Sequence, residues 1–515
     1  MTALYASAEI RRMEQAALSQ LPPYTLMQRA GKAAADVALN MLTGSAHKAR
    51  ILVLVGPGNN GGDALEAATI LTESGAEVVA LLPVEMTSQP PDAANALHRA
   101  TRAGVHFMPP EQFTTIDGIG WSLVIDGLLG IGLKRPLDGT LRSLVATVNT
   151  FSSPLLALDV PTGLDADTGM VVGPDGMCIV ADETVTFIGD KIGLHSGDGP
   201  EYAGKVTVAE LAIAASQLLP SQSALNAPEL FSSNLQPRAR NAHKGSFGSV
   251  AVIGGAEGMA GAAILAGRAA VKSGAGKVFI GFLAGVPGYD SMQPELMCRH
   301  AEDIDLASAT LVVGTGLGTS ERAHALLVKT LKAQSHLLLD ADALNLIAIE
   351  PVMQQLVAAR RQSAYPNLQT VMTPHPLEAA RLLGISTAEI QSDRLAAARS
   401  MAQRFNAVIV LKGAGSIIAR PDGYAVVNPT GNPALATGGS GDVLSGICGA
   451  LLAQGWSDWH AALGAVWLHG RAADILVSQG FGPIGMTAGE LIPAVRSLHN
   501  TLTNQVANKA QVRND

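Results

Sequence analysis

Short apolar runs alternate with longer stretches rich in alanine and leucine along most of the 515-residue chain. Many of the short runs are rich in valine and isoleucine and end at glycine, proline or aspartate. Strands that are covered by helices on both faces read as continuous apolar runs, because neither face meets water. The pattern therefore predicts an α/β protein in which parallel strands alternate with helices.

The predicted strands fall into two groups. The first group comprises residues 51–55, 77–82, 123–126, 155–159 and 183–188. The second group comprises residues 250–253, 278–282, 311–314, 336–340, 370–373 and 407–411. Between them, residues 216–245 are rich in serine, proline, asparagine and glutamine and show no sustained period, which is typical of an interdomain linker. We therefore expect two α/β domains, residues 1–218 and residues 225–505.

Composition and charge narrow the function classes. The net charge is −8 and basic residues form no block, which argues against a nucleic-acid partner. The N-terminus lacks a signal-peptide core and no run of about twenty apolar residues occurs, so we expect a cytoplasmic protein with no membrane partner. Cys178, Cys298 and Cys448 form no Cys-x-x-Cys pair and are interpreted as buried thiols. The alanine-rich helices can pack against another subunit, which favours a homo-oligomer.

The stretch "GPGNNGGDALEAA" at residues 56–68 follows the first predicted strand and matches G-x-G-x-x-G. A dinucleotide site of the NAD-dehydrogenase type also needs an acidic residue at the end of the second strand. The nearest candidate, Glu85, comes late and after a proline. An oxidoreductase that uses NAD as a hydride acceptor is therefore disfavoured, and a tightly packed turn remains an alternative explanation of the glycines.

Polar side chains follow several strands of the first group. They are Asn60, Asp63, Asp126, Asp159 and Thr162. Because the carboxyl ends of parallel strands meet at one edge of a sheet, we expect these side chains to converge. Their hard oxygen ligands suit an alkali or alkaline-earth cation better than zinc. The alternative is that the aspartates are helix caps and turn formers.

A glycine-punctuated loop at residues 127–139 carries Lys134 and Arg135, which can clamp a phosphate or can simply be solvated. With this loop, the motifs "GPGNNGGDALEAA", "VIDGLLGIGLKRPLDG" and "ALDVPTGLDADTG" resemble the YjeF-type NAD(P)H-hydrate epimerase domain. The resemblance implies a Rossmann-like fold over residues 1–218. The substrate contacts that it implies are Asn59, Asn60, Gly61, Gly62, Asp63, Gly130, Ile131, Gly132, Leu133, Lys134, Arg135, Pro136 and Asp159.

The same resemblance implies K⁺ held by Asn60, Asp126 and Thr162, with Asp159 as the acid/base at the nicotinamide ring. Ala64 departs from the family, which more often has glycine there. In the implied substrate, water has added across C5–C6 and left a hydroxyl at C6, beside the ring nitrogen. The nitrogen lone pair can help this hydroxyl leave and return on the other face, and one proton-shuttling carboxylate would suffice.

In the second half, "NPTGNPALATGGSGDVLSGICGALLAQG" at residues 428–455 carries a Gly-Gly-Ser-Gly-Asp turn directly before an apolar helix. Free backbone N–H groups and the helix dipole make such a start an anion site. Asp442 lies in the first turn, where it can deprotonate an attacking hydroxyl, or it can merely be stabilised by the dipole. No G-x-x-x-x-G-K-[ST] motif occurs, which excludes a P-loop NTPase.

Three further motifs follow strands of the second group. In residues 371–384, His375 precedes a predicted helix and Glu378 and Arg381 follow at i,i+3 spacing. If this motif is not a functional site, the simplest explanation is that Glu378 and Arg381 form an exposed ion pair. Residues 337–348 carry Asp340 and Asp342. Residues 408–418 place Lys412 before a glycine-rich turn that suits nucleotide phosphates.

The Gly-Gly-x-Gly-Asp turn resembles the ribokinase-like superfamily. Together with "VAVIGGAEGMAGAAILAGRAA" and "VVGTGLGTS", these motifs resemble the ADP-dependent NAD(P)H-hydrate dehydratases over residues 225–505. The substrate contacts that this implies are Ala262, Gly316, Leu317, Gly318, His375 and Asp442. The nucleotide contacts that it implies are Lys412, Gly413, Ala414, Gly415, Ser416 and Gly441, with ADP as phosphoryl donor and Mg²⁺ on its phosphates. Leu377 stands where this family often has glycine.

Together the two halves predict a bifunctional nicotinamide-nucleotide repair enzyme. Its first domain would interconvert the R and S forms of hydrated NADH or NADPH, and its second would dehydrate the S form at the expense of ADP. One alternative is a ribokinase-type kinase for a small molecule such as a vitamin precursor, with the first domain as a regulatory nucleotide-binding module. Another is that the first domain is a scaffold without catalysis.

Overall fold

The computed structural model describes residues 2–42, 44–83, 89–109, 120–362 and 368–512. The chain divides into two compact units, Thr2–Ser223 and Ala224–Asp515. Each unit consists of a largely parallel sheet with helices. The predicted α/β class with two domains is therefore confirmed. In the described part of the chain, no helix combines the length and apolar character that a bilayer crossing requires.

The N-terminal unit contains nine strands and seven helices among its described residues. In chain order they are β1 (Ala3–Tyr5), α1 (Ser7–Leu18), α2 (Thr25–Met41), β2 (Arg50–Val55), α3 (Asn59–Glu73), β3 (Glu77–Leu81), α4 (Pro91–Ala103), β4 (His106–Met108), β5 (Leu123–Gly127), α5 (Gly139–Val148), β6 (Leu155–Leu158), β7 (Glu183–Phe187), β8 (Asp190–Lys191), α6 (Gly199–Tyr202), β9 (Lys205–Ala209) and α7 (Ala215–Leu218).

The sheet of this unit has the strand order β4-β3-β2-β5-β6-β7-β9, and every neighbouring pair is parallel. Strand β2 pairs with β3 on one side and with β5 on the other, so the chain reverses its direction of travel across the sheet between β2 and β5. Ligands of open α/β sheets bind in the crevice outside such a switch point. The loops that follow β2 and β5 flank this crevice.

The C-terminal unit begins within β10 (Ser223–Leu225) and continues with β11 (Ser249–Gly254), α8 (Ala260–Lys272), β12 (Lys277–Phe282), β13 (Met297–His300), β14 (Thr310–Val313), α9 (Glu321–Lys332), β15 (Leu337–Leu339), α10 (Ala341–Ile349), α11 (Pro351–Ala359), β16 (Thr370–Met372), α12 (Pro376–Leu383), α13 (Thr387–Ser392), α14 (Arg394–Phe405), β17 (Val408–Leu411), β18 (Ile417–Ala419), β19 (Ala425–Val427), α15 (Ser440–Ala453), α16 (Asp458–Ser478) and α17 (Ala488–Val512).

Its strands follow the order β13-β12-β11-β14-β15-β16-β17-β18-β19-β10. The pairs from β13 to β17 are parallel, whereas β17, β18 and β19 pair antiparallel. The switch point of this sheet lies between β11 and β14. Loops that follow β11, β14, β15, β16 and β17 therefore share one edge. They carry the motifs singled out in the second half of the chain, apart from the Gly-Gly-Ser-Gly-Asp turn, which follows β19.

Helix α15 is buried along most of its length and packs against α8. Gly446 makes this close approach possible, because a Cβ there would lie 2.1 Å from the Ala266 carbonyl oxygen. A helix start that is backed by such packing is held rigidly. The polar first turn of α15 is thus fixed at the edge of the sheet.

The predicted linker at residues 216–245 is wrong over most of its length. Phe231 and Leu235 are buried in the core of the C-terminal unit, and the Asn226 side-chain amide donates to Asn428 and to the Leu463 carbonyl. The segment forms short 3-10 turns, whose apolar residues follow no helix or strand period. That irregularity is what resembled a linker in the sequence.

Candidate active sites

A cavity of about 420 Å³ lies at the switch point of the N-terminal unit. Cavities of this size hold small molecules. Several residues that the sequence predicted as substrate contacts line it, namely Asn59, Asn60, Asp63, Gly130, Ile131, Gly132, Leu133 and Asp159. Helix α1 adds Ile10, Arg11, Glu14 and Leu18, which the sequence analysis missed. The cavity is therefore lined by residues of three motifs that are separated in the sequence and by helix α1, which contains no recognisable motif.

The glycines of the first motif are needed for close packing. A Cβ on Gly56 would lie 1.7 Å from the Leu128 carbonyl oxygen, and one on Gly61 would lie 1.9 Å from the Gly56 carbonyl oxygen. A Cβ on Gly62 would meet the Met27 side chain at 2.5 Å. These glycines let the turn, α2 and the β5 loop approach one another, and Ala64 continues the helix without interruption. As ligand contacts, Gly61 and Gly62 remain predictions.

Asp159 is held by a lysine that the sequence analysis overlooked. Lys191 is completely buried, and its Nζ donates to Asp159 Oδ1 at 2.6 Å, to Thr186 Oγ1 at 2.6 Å and to the Phe187 carbonyl at 2.8 Å. The second carboxylate oxygen, Oδ2, accepts from the Ile131 backbone at 3.3 Å. Asp159 also has a positive φ of 65°, a backbone conformation that is uncommon for residues other than glycine. A buried ammonium with three acceptors fixes this carboxylate at the cavity wall.

Two of the three predicted cation ligands, Asp126 and Thr162, are in direct contact. Asp126 is fully buried and accepts from the Thr162 backbone at 2.8 Å and from the Thr162 hydroxyl at 2.8 Å. Burial raises the pKa of Asp126 to about 6. Asn60 donates its amide to the Leu158 carbonyl, while its buried Oδ1 has no hydrogen-bond partner among the residues that the structure describes. An orphaned amide oxygen and a buried carboxylate fit a hard monovalent cation.

Two further carboxyl groups line the cavity. Burial, with the charge of Asp159 adding to it, raises the pKa of Glu14 above its ordinary value. Burial raises the pKa of Asp63 further, and Asp159 and Glu14 act in the same direction. The cavity thus contains the Asp159 carboxylate, which is paired with the Lys191 ammonium, and the Asp63 carboxyl group, which favours its neutral form.

The remaining predicted contacts of the first domain lie in the loop that follows β5. Lys134, Arg135 and Pro136 are exposed to solvent and stand outside the cavity lining. Their role in holding phosphate stays a prediction. Glu85, the acidic residue considered for a dehydrogenase site, lies outside the described residues.

In the C-terminal unit, Asp442 lies in the first turn of α15, one turn into the helix from Gly439. Gly439 has a φ of 91°, which favours glycine, and the Asp442 carboxylate lies near it. Asp442 is half-buried, and burial with the charge of Asp340 adding to it raises the pKa of Asp442 to about 6. The carboxylate therefore does not point into the apolar core, and it combines a helix N-terminus with a poised proton acceptor.

Next to Asp442 lies a nearly buried ion pair. Lys412 Nζ donates to Asp340 Oδ1 at 2.7 Å, and Ser445 donates its hydroxyl to Asp340 Oδ2 at 2.6 Å. A Cβ placed on Gly441 would lie 3.5 Å from Lys412 Nζ. Burial lowers the pKa of Lys412, but the carboxylates of Asp340 and Glu378 outweigh it, so the pKa lies above its ordinary value. The ammonium stays charged beside the helix start, which suits phosphate.

His375 caps α12. Its Nδ1 accepts from the backbone N–H groups of Leu377 and Glu378, so the proton of the neutral ring is on Nε2, 3.2 Å from Glu378 Oε1. Burial lowers the pKa of His375, and the nearby Lys412 charge adds to this. The ring is therefore a neutral hydrogen-bond donor, partly exposed at the sheet edge.

The alternative of an exposed Glu378–Arg381 ion pair is wrong. Glu378 is buried, with its carboxylate turned to His375 and 4.0 Å from Lys412 Nζ, and Arg381 donates to Asn345. Burial raises the pKa of Glu378 to about 7. The i,i+3 spacing suggested a solvated pair because the sequence does not reveal that Lys412 lies against this turn.

The glycine turn after β14 approaches the start of α8. A Cβ on Gly316 would lie 3.2 Å from the Ala262 Cβ, and the Gly318 N–H donates to Asp342 Oδ2 at 2.8 Å. Leu317 is completely buried, so its contact with a ligand stays a prediction. Ala262 and this turn are therefore neighbours at the switch point between β11 and β14, and their contact with substrate stays a prediction.

The predicted nucleotide turn follows Lys412. The Ser416 hydroxyl donates to the Gly413 carbonyl at 2.9 Å and accepts from the Gly413 N–H, which closes the turn. Buried Arg394, missed in the sequence analysis, donates to the carbonyls of Leu411 and Lys412. Its guanidinium leaves no room for a side chain at Gly413, whose φ is 142°. Ala414 and Gly415 complete a turn that is open to solvent.

Comparisons with known proteins match both halves. A family model described as YjeF-related protein N-terminus matches residues 23–193, and one described as NAD(P)H-hydrate dehydratase matches residues 250–496. Over 511 residues the chain is 38% identical to the bifunctional NAD(P)H-hydrate repair enzyme Nnr of Coxiella burnetii, which covers 97% of this chain and 100% of that protein.

Two partial matches concern the second half. The chain is 42% identical over 295 residues to the ADP-dependent (S)-NAD(P)H-hydrate dehydratase of Neisseria meningitidis serogroup B, which covers 55% of this chain and 95% of that protein. A crystal structure of the ADP/ATP-dependent NAD(P)H-hydrate dehydratase from Bacillus subtilis, co-crystallised with ATP/Mg²⁺, is 30% identical, covers 54% of this chain and 98% of that chain, and has a TM-score of 0.46.

Proposed function

The chain belongs to the family of bifunctional NAD(P)H-hydrate repair enzymes, and we propose that it divides that work between its two units. Residues 1–218 interconvert the R and S epimers of hydrated NADH and NADPH. Residues 225–505 use ADP to dehydrate the S epimer. The observation that supports this most is the position of Asp442 in the first turn of α15, beside the Lys412–Asp340 ion pair.

In the epimerase site, Asp159 is the acid/base group at C6 of the hydrated ring. Lys191 fixes the Asp159 side chain through an ion pair, and the Ile131 N–H donates to its second oxygen at the cavity. The ring nitrogen supplies the electron pair that expels the C6 hydroxyl, and water returns at the same carbon. The protein has to bind the ring, move protons at the C6 oxygen and keep the planar intermediate in place.

Asn60, Asp126 and Thr162 would hold K⁺ beside this site. When bound, K⁺ would supply a positive charge that favours the ionised form of the buried Asp126 carboxylate. Thr162 in turn ties the β5 loop to the segment after β6, because the Leu129 N–H donates to the Thr162 hydroxyl at 3.0 Å.

Removal of K⁺ will lower both epimerisation and stability. After exchange into a tetramethylammonium buffer, we expect slower epimer interconversion and a lower unfolding temperature, because Asp126 then lacks a counter-ion. Titration with KCl should restore both in a saturable way, with a tetramethylammonium chloride series as the ionic-strength control. Asp126→Asn should abolish the response. If activity and unfolding temperature are equal with and without K⁺, the proposed K⁺ site is wrong.

In the dehydratase site, Asp442 takes the proton of the C6 hydroxyl as that oxygen attacks the β-phosphorus of ADP. The N–H groups at the start of α15 and the Lys412 ammonium face the phosphoryl oxygens, and AMP leaves. Phosphate then departs from C6 with its bonding electrons, the ring nitrogen donates its lone pair, and C5 gives up a proton. The products are NADH or NADPH, AMP and phosphate.

Mg²⁺ would bind with the ADP phosphates at this edge. The Asp442 carboxylate accepts no hydrogen bond within the part of the chain that the structure describes, so it is free to face the C6 hydroxyl while the ion stays on the phosphates. When bound, the ion would neutralise charge on the transferring phosphoryl group. Asp340 is already engaged by Lys412 and Ser445 and serves to position the lysine.

The pKa of about 6 for Asp442 predicts an acid limb in the dehydratase pH profile. Asp442 accepts a proton only when it is ionised, so kcat/KM should reach a plateau above pH 7 and fall about tenfold per pH unit well below pH 6. The measurement is the initial rate of NADH formation from the S epimer and ADP across pH 5 to 8. A flat profile through this window would contradict the role of Asp442 as base.

The test of the overall proposal is to locate the ligands. Crystals soaked with NADH hydrate and an ADP analogue should show the nicotinamide ring beside Asp159 in one site, and the adenine nucleotide at the turn formed by residues 412–416 in the other. A vitamin-precursor kinase with a regulatory module would bind ADP in the same turn but would leave NADH hydrate unconverted. We also propose that the protein is cytoplasmic and that it forms a homo-oligomer. Size-exclusion chromatography with light scattering will measure the oligomeric state.

A further inference from the structure

The inference that follows rests on the proposed function of the N-terminal unit, epimerisation at C6. This reaction requires proton transfer on both faces of the nicotinamide ring. The departing hydroxyl leaves one face and must gain a proton, because hydroxide is a poor leaving group. The incoming water reaches the opposite face and must lose one. A group on each face, one protonated and one ionised, satisfies both needs without movement of the ring.

Asp159 is built to be the ionised partner. Its Oδ1 lies 2.6 Å from the ammonium of Lys191, which has no access to solvent and is also tied to Thr186 and Phe187. Asp159 is the carboxylate that this buried ammonium contacts as its counter-charge. In the resting enzyme this carboxylate is therefore a proton acceptor.

Asp63 has the opposite character. It lines the same cavity from α3, and within the described part of the chain it has neither a hydrogen bond nor an ion pair. The charged groups that face it are the carboxylates of Asp159, Glu14, Glu66 and Asp92, and burial together with these charges raises its pKa well above the ordinary value. A carboxyl group in such surroundings is a neutral proton donor.

We propose that Asp63 is a second catalytic residue of the epimerase, which works with Asp159 across the ring. Asp63 gives its proton to the C6 oxygen, the C6–O bond breaks with its electrons going to oxygen, and water leaves while the ring nitrogen forms a double bond to C6. A water molecule then adds to C6 from the other face, the nitrogen regains its lone pair, and Asp159 accepts the proton. Proton exchange with solvent then returns Asp63 to its neutral form and Asp159 to its ionised form. In the reverse direction the two carboxyl groups exchange roles.

Glu14 is the competing candidate on the same cavity. It differs from Asp63 because two cations, Arg11 and Lys191, act on it and favour its ionised form, in opposition to burial. Arg11 also reaches across the cavity mouth to donate to the Ile131 carbonyl. Glu14 and Arg11 are therefore better suited to holding the substrate, whereas Asp63 meets only negative charge.

Asp63→Asn tests this assignment. We expect kcat for conversion of the purified R epimer to fall by about 10²–10⁴-fold, with KM within about threefold of wild type, because the variant retains shape and polarity but has no acidic proton. A residue that only binds substrate would raise KM instead. Asp36→Asn, which breaks an exposed ion pair on α2, is the matched control and should leave both constants unchanged. Glu14→Gln should lower kcat less than Asp63→Asn does.

A wild-type kcat in Asp63→Asn, or a larger kcat loss in Glu14→Gln, would overturn the assignment. The wild-type enzyme gives a second measurement that does not depend on a variant folding. In H₂¹⁸O, each inversion should place one solvent oxygen at C6, and an inverted product that keeps its original oxygen would refute departure and return on opposite faces. If wild type does not interconvert the epimers at all, the proposed function fails, and that result is distinct from either outcome.

Discussion

Asp442→Asn will lower the kcat of ADP-dependent dehydration by about 10²–10⁴-fold. The amide cannot accept the proton of the C6 hydroxyl, so the attack on the phosphorus loses its base. Epimer interconversion should be unchanged, because Asp442 belongs to the other unit of the chain. Stability should not fall, since the substitution removes a desolvated carboxylate that lies close to Asp340.

The measurement is the recovery of NADH absorbance from the S epimer and ADP. Glu321→Gln is the matched control, because it removes an exposed acidic residue from the first turn of α9, another helix of the same unit. The control should retain full activity, which would separate proton acceptance from a general effect of acidic residues at helix starts. Dehydration by Asp442→Asn within tenfold of wild type would mean that another group serves as base.

Asp159→Asn is expected to lower epimerisation by a similar factor, about 10²–10⁴-fold, while the S epimer is still dehydrated at the wild-type rate. Lys191 is then left buried without its counter-charge, so we also expect a loss of stability of about 3–5 kcal/mol. Lys191→Met should reduce epimerisation as well, because the carboxylate loses the group that fixes its position and charge.

Chiral chromatography of the epimers measures the rate, and urea unfolding measures the stability. The chain offers a matched pair of controls in Lys32–Asp36, an exposed ion pair at 2.8 Å. Because exposed pairs contribute little, Lys32→Met and Asp36→Asn should change neither quantity appreciably. If Asp159→Asn interconverts the epimers at the wild-type rate, the N-terminal unit is a binding scaffold and not a catalyst.

Much of the fold could be predicted from apolar runs. Each predicted strand is present within one or two residues of its expected ends, because strands buried on both faces leave continuous apolar stretches. The strands that were missed are β1, β4, β8, β9, β10, β13, β18 and β19. All of them except β9 have four residues or fewer, and so few residues produce no distinct pattern. The residues at strand ends, including Asp126, Asp159 and Asp340, could be placed at the sheet edges from their position alone.

Residues that act through distant partners could not be predicted in this way. Lys191 is a single lysine after β7, and only the fold brings it to Asp159. Glu14 lies on α1, whose sequence shows an ordinary amphipathic helix. The nearest signal for Lys191 is its place in "FIGDKIGL", where an Asp-Lys pair interrupts an otherwise apolar stretch, which indicates buried and paired side chains.

The most direct test gives the purified R epimer of hydrated NADH, with ADP, to wild type, Asp159→Asn, Asp442→Asn and a mixture of the two variants. We expect full recovery of NADH absorbance with wild type and with the mixture, and at early times none with either variant alone. The account would be contradicted if Asp159→Asn converted the R epimer as fast as wild type, or if wild type restored no NADH from it.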